Sequence, residues 1–287
     1  MQALVNALAL GSTYVLLAIG LSMIYGILRI IHVAHAAVYT LGAFIGYLAW
    51  FHSGNIWLGI AAGLVAGTIG GCVILLVVYR SMLDRPRYIP LIASVGLFIL
   101  AADLFAKNWA IGPDARAMNV SEPLPSFNVL GAHVSGTALF AIVVTLVCLA
   151  ALGVVFRLTQ AGLRWRAIAS DRELAGASGI NVNRAVLSNF AVGSALAGVA
   201  GVVVAVYSGS IFATMGDIPA YKAFVVVVLG GLGSVRGAVI AGYALALVET
   251  LLISNFGYLL PRDALAFLVL IVALLVRPQG LFARSAS

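Results

Sequence analysis

The sequence predicts an all-α protein that crosses a membrane many times, and three observations predict it. Of the 287 residues, 63% are hydrophobic and only 9% charged, with a mean hydropathy of +1.14, whereas a soluble domain is about 45–50% apolar and about 25% charged. Residues 1–28 and 38–79 hold no Asp, Glu, Lys or Arg at all. Uncharged stretches long enough to span, roughly 20 residues, recur along the whole chain. Together these exclude an ordinary soluble enzyme and a disordered chain. They also make the lipid bilayer, not nucleic acid, the partner that the pI of 9.7 must be read against.

About eight transmembrane helices are expected, at roughly 3–28, 36–52, 55–79, 88–106, 135–156, 185–207, 237–255 and 260–276. The first is predicted to be retained, because its first basic residue, Arg29, follows the apolar run instead of preceding it as in a signal peptide. Arg29, His32 and His35 then interrupt the pattern, which marks a break near 27–37. The spans that follow carry Gly63-x-x-x-Gly67, Gly67-x-x-x-Gly71 and the small-residue run Gly193–Gly201, spacings that let helices pack closely in lipid. A shorter apolar stretch, 223–233, leads into Gly230-Gly231-Leu232-Gly233-Ser234. It is too short to cross and reads as a half-helix ending in a second break, near 223–236. Irregular backbone at membrane depth is tolerated where protein buries it or where it lines a watery cavity. The two breaks are therefore candidates for a solute path; an ordinary loop between 223 and 236 is the alternative. Cys72 and Cys148 both sit in apolar runs and read as small core side chains.

Arginine sets the expected orientation. Arg80, Arg85 and Arg87 face one acid, Asp84, while the 157–184 loop holds Arg157, Arg164, Arg166, Arg172 and Arg184 against Asp171 and Glu173. In 107–134, Lys107 and Arg116 are balanced by Asp114 and Glu122. The first two loops read as cytoplasmic and the last as external. One conflict remains, since three spans after 184 would leave Arg277 outside unless 223–233 also crosses. A single transmembrane domain over residues 1–287 is expected, with a cytoplasmic loop at about 157–184. That loop predicts a helix from about 164 to 177 with Trp165, Ile168 and Ala169 on one side and a break at Gly179. A short charged helix between spans suits docking of a cytoplasmic partner; a solvated loop kept basic for topology is the alternative.

Here the residues resemble a known family. Glu173, Ala175 and Gly179 match the E-x-A-x-x-x-G core of the coupling loop in permease subunits of ABC importers. Gly20–His35, Lys222-Ala223-Phe224, Val228–Ser234, Gly237-Ala238-Val239, Leu247-Val248-Glu249 and Arg277–Phe282 occur in the order of the Liv-type, branched-chain amino acid branch. The match is closer to its H-type subunit. His32 and Ala36 stand where that family tends to have Asn and Gly, and related permeases for urea, short amides and aromatic acids share most of these blocks. The resemblance implies a multi-pass protein of the bacterial inner membrane. It implies pairing with a second Liv-type permease, two cytoplasmic ATP-binding subunits and a periplasmic solute-binding protein, and no cofactor. It assigns ATPase coupling to Arg166, Asp171, Glu173, Ala175 and Gly179.

The remaining chemistry is sparse. Only two lysines exist, Lys107 and Lys222, neither within GxxxxGK[ST], so the chain has no phosphate-binding loop. Neither a G-x-S-x-G elbow nor H-E-x-x-H is present, which leaves an intramembrane hydrolase without a nucleophile or metal. His32 and His35 lack further ligands for a metal. Glu249 is the one acid deep in an expected span, and intramembrane ionisable groups face a cavity or a partner. Candidates for the translocation path are thus His32, His35, Gly230, Gly231, Gly233, Ser234 and Glu249. An ion-coupled secondary transporter would need paired intramembrane charges.

Overall fold

The computed structural model describes residues 1–82, 85–121, 123–129, 131–257 and 262–276. Helices make up nearly all of it: α1 (Gln2–Leu28), α2 (His35–Ser53), α3 (Ile56–Val73), α4 (Tyr88–Phe105), α5 (Gly136–Leu158), α6 (Gln160–Ser170), α7 (Arg172–Ala177), α8 (Val182–Ser208), α9 (Asp217–Gly230), α10 (Val235–Phe256) and α11 (Arg262–Val276). α3 continues through a π-turn at Ile74–Val78 and a single 3₁₀ turn at Tyr79–Ser81. Each expected apolar stretch is helical. Among the described residues, six helical stretches are long and apolar enough to cross a bilayer: α1, α3 with its extension, α4, α5, α8 and α10. α2 has 19 residues but holds two histidines and two tyrosines, and α11 has 15. The expectations resting on Asp84, Glu122 and the tail from Arg277 to Arg284 lie outside the described residues.

The bundle has two distinguishable ends. At one, β2 (Phe127–Val129) and β3 (Ala132–Val134) form a hairpin, and β1 (Arg116–Ala117) pairs with β4 (Ser210–Ile211). The Gln2 side chain donates to the His133 carbonyl at 3.0 Å and accepts from its N–H at 2.8 Å, which fixes the start of α1 at this hairpin end. At the other end, Met23, Ile24 and Ile27 of α1 pack with Trp165 and Ile168 of α6. Between the ends, α1 and α8 are the most enclosed helices, while α4 is largely exposed. α2, α3 and α8 meet through the predicted small residues. Gly198 lies so close to Gly63 and Gly42 that a methyl group there would run into the Gly63 carbonyl. In lipid, helices hold together through such van der Waals contact, because no water is left to be expelled.

α9 differs from its expectation. It starts at Asp217, six residues earlier than the apolar run, because Pro219 sits in the first turn, where a missing N–H costs no helical bond. It begins just after β4 at the hairpin end and finishes beside the turn where Gly233 meets Gly26, near the far end of α1. With 14 residues it is about 21 Å long, and its start, where Gly216 packs on Ala36 and Thr40 of α2, makes it a half-helix beside the longer α1 and α8. α10 then runs back, packing Tyr243 against Gly11 of α1. α11 starts at the hairpin end, where its Phe267 ring stacks on Tyr221 of α9 at 5.2 Å.

Candidate functional site

The first break is held open by a short polar chain. α1 stops at Leu28, and Arg29 takes a left-handed conformation (φ 54°) with its N–H donating to the Tyr25 carbonyl at 2.8 Å. Residues 29–34 then lie between helices, and their backbone groups need partners. The Ala34 N–H donates to Ser94 Oγ of α4 at 2.9 Å. Close by, the Tyr79 hydroxyl lies 2.7 Å from His32 Nδ1. The His32 ring sits 5.5 Å from His35 and 5.0 Å from Phe190. Both ring nitrogens of His35 lack a hydrogen-bond partner among the described residues. His32 and His35 are both buried, and His32 Nε2 has no hydrogen-bond partner among the described residues.

These histidines line a cavity of about 440 Å³. Leu17 and Leu21 of α1 form one wall, and Leu91 and Phe98 of α4 another. α9 supplies a third through Asp217, Ala220, Tyr221 and Phe224, spaced i, i+3, i+4, i+7 on one helix face. The walls are mostly apolar, with a few polar groups where α9 begins and where the chain breaks.

The opposite face of α9 is anchored by charge. Lys222 Nζ donates to both carboxylate oxygens of Glu249 on α10, each at 3.1 Å. The Tyr14 hydroxyl of α1 donates to Glu249 Oε2 at 2.8 Å and accepts from Lys222 Nζ at 2.6 Å, and the ammonium lies 4.9 Å from the Tyr14 ring centre. Lys222 and Glu249 are 2% and 0% exposed. A lone charge at this depth would cost about 2.5–3.5 kcal/mol or more. Pairing with a bidentate contact and a hydroxyl offsets that cost and ties α1, α9 and α10 together. Glu249, expected to face a cavity or a partner, has Lys222 and Tyr14 as partners.

The second break is closed. Gly231 and Gly233 take φ of 88° and 82°, which glycine alone adopts without strain. Gly230 packs directly on the Gly237 backbone, and Ser234 Oγ accepts the Gly237 N–H at 3.1 Å as the cap of α10. Gly230, Gly231, Gly233 and Ser234 line no part of the cavity described above. Of the path candidates, the structure thus brings His32 and His35 together at the cavity, sets Glu249 behind α9, and gathers the remaining four in a tight turn.

The expected coupling helix is two helices. Asp171 is extended (φ −149°) and its Oδ1 accepts the Leu174 N–H at 2.9 Å, ending α6 and capping α7. Trp165 and Ile168 are buried, with Trp165 Nε1 donating to Ser188 Oγ at 3.0 Å, but Ala169 is exposed because the chain bends two residues later. Arg166, Asp171, Glu173 and Gly179 are exposed and Ala175 is buried; Gly179 adopts φ 85° where α7 ends. Leu163 and Leu174, 61% and 66% exposed, add apolar area to this charged surface.

The residues around the cavity and the buried ion pair that sequence reasoning missed are Lys222, Tyr14, Tyr79, Ser94, Asp217 and Tyr221. Only Lys222 carried a usable signal, since a lysine at the edge of an apolar stretch calls for an acid within reach.

Comparison with known proteins locates the fold among permeases. Residues 3–276 match the family model described as the branched-chain amino acid transport system / permease component. The chain is 32% identical to the high-affinity branched-chain amino acid transport system permease protein LivH of Escherichia coli K12, covering 99% of this chain and 96% of that one. It is 34% identical to LivH of Salmonella typhimurium and 33% identical to BraD of Pseudomonas aeruginosa, again over 99% and 96%. Among solved structures it resembles PsaBC from Streptococcus pneumoniae in complex with Fab, with a TM-score of 0.54 at 15% identity, over 96% of this chain and 91% of that one. That likeness concerns the fold alone.

Proposed function

The chain belongs to the family of branched-chain amino acid transport system permease components, and from that premise we propose that it is the membrane subunit of an ABC importer for leucine, isoleucine and valine. It is a multi-pass protein of the bacterial inner membrane and a transport component. Its energy comes from ATP-hydrolysing partners and its solute from a binding protein. The finer assembly is a second Liv-type permease beside it, two ATP-binding subunits docked on α6 and α7, and a periplasmic binding protein at the hairpin end. The observation that carries this reading is the family match over nearly the whole chain, supported by an exposed two-helix loop with arginines, Glu173 and two bare leucines.

In the mechanism, α6 and α7 transmit ATPase closure to the bundle. Trp165 and Ile168 root α6 among α1 and α8, so a push on the exposed face moves those helices as a rigid body. The anchored α9 moves with α1 and α10, and the wall it gives to the cavity moves with it. In reconstituted vesicles the purified chain alone should take up no leucine, and uptake should appear when the partner permease, ATPases, loaded binding protein and ATP are added. Glu173→Lys should abolish that uptake while the permease remains folded in the membrane. Uptake by the chain alone on a proton or sodium gradient would contradict the reading.

A further inference from the structure

We infer that the cavity between the first break, α1, α4 and α9 is the subsite through which the amino acid passes, its aliphatic side chain against Leu17, Leu21, Leu91 and Phe98 and its charged groups against Asp217 and His32. This rests on the importer reading and adds to it where on this chain the solute is held.

Size and chemistry both fit. A volume of about 440 Å³ falls inside the range of small-molecule sites, about 300–1,000 Å³. Such sites are apolar with a few placed polar groups, and an aliphatic amino acid needs the same division. Asp217 is the exposed acid of the α9 first turn and lies on the cavity wall, where its carboxylate can take an ammonium group. For the solute carboxylate a donor is required, and the polar chain behind the break supplies one. In the tautomer where the Tyr79 hydroxyl donates to His32 Nδ1, 2.7 Å away, the neutral ring carries its proton on Nε2. That nitrogen is buried, belongs to a residue on the cavity wall, and has no partner among the described residues. A buried donor left unpaired is costly, so a passing carboxylate gains where the empty site does not. The same contact explains why the break is kept: residues 29–34 put the His32 ring inside the bundle, which a continuous helix could not do.

α4 offers a way to test this without disturbing the core, since most of its surface is exposed. Leu91→Trp and Phe98→Trp fill the cavity from that side, and Ile92→Trp, on the outward face, is the control. Each is assembled with its partners in vesicles and supplied with saturating leucine-loaded binding protein and ATP. Leu91→Trp and Phe98→Trp should each lower leucine uptake at least tenfold while ATP hydrolysis stimulated by the binding protein continues; Ile92→Trp should transport as the unmodified chain does. Asp217→Asn should lower uptake about tenfold with the same hydrolysis. A diazirine analogue of leucine, photolysed during turnover, should label 17–36, 91–98 or 217–224 and lose that label in Leu91→Trp. Full uptake by both cavity-filling variants, equal loss in Ile92→Trp, or labelling confined to other segments would overturn the subsite. If the unmodified complex takes up no leucine at all, the importer reading fails first.

Discussion

The two breaks in this chain are built in opposite ways. At 29–34 the backbone leaves the helix and is satisfied by side chains, Ser94 accepting from Ala34, and the surrounding space stays open as a cavity. At 231–234 glycines let backbones touch, Gly230 on Gly237 and Gly233 on Gly26, and no comparable space remains beside them. Both interrupt the helical pattern, and both were candidates for a path in the sequence. The difference teaches that a break becomes a site when polar side chains hold it apart, and a hinge or joint when small residues draw it shut. The buried pair Lys222–Glu249 belongs to the second design: it clamps the half-helix between the breaks so that only one face of it borders the cavity.

The largest effect should come from breaking that clamp. Glu249→Gln leaves a buried ammonium without its carboxylate and should cost about 3–5 kcal/mol, read as a lower melting temperature of the detergent-solubilised complex. Lys222→Met together with Glu249→Gln should recover much of the loss, because neither charge then lacks its partner. Next comes the closed break, where Gly237→Ala forces a methyl group into the Gly230 carbonyl. Overpacking of this kind costs about 1–3 kcal/mol and should reduce the yield of folded protein, whereas Gly96→Ala on exposed α4, which meets nothing, should be silent. At the open break, Ser94→Ala removes the acceptor for the Ala34 N–H. It should cost about 1 kcal/mol and, unlike Gly237→Ala, depress uptake more than stability. The smallest effect is Arg29→Gly, which relieves a left-handed backbone and should shift stability by no more than about 1 kcal/mol. If the substitutions at both breaks lowered stability and uptake in the same proportion, the distinction between site and joint would dissolve.

Much of the fold was legible because lipid imposes a crude rule: a run of apolar residues about 20 long is a helix. That rule found all eight stretches that became α1–α5, α8, α10 and α11, and glycine spacing found the α2–α3–α8 contact. It failed at α9, whose start reads as polar because Asp217, Pro219 and Lys222 fall in its first six residues, and at α6–α7, where the single residue Asp171 changes conformation to cap a new helix. The site was less legible. His32 and His35 announced themselves as polar residues in an apolar context. Their use depends on Tyr79 and Ser94, which lie 47 and 60 residues from the groups they bind, and nothing in local periodicity reports a contact over that distance. Glu249 stood out for the same reason as the histidines, but its partner is 27 residues earlier on another helix, so that partner went unnamed until the helices were packed.

The most direct measurement is the exposure of the open break during transport. Val33→Cys borders the cavity, and Val235→Cys follows the closed break; each is made in a chain where Cys72 and Cys148 are replaced by alanine. In the assembled complex a hydrophilic maleimide should modify residue 33 at a rate that changes at least tenfold between the resting and ATP-bound states and is slowed by leucine-loaded binding protein, while residue 235 keeps one slow rate throughout. Equal rates at residue 33 in every state, with no protection by leucine, would contradict the assignment of the solute path to the first break.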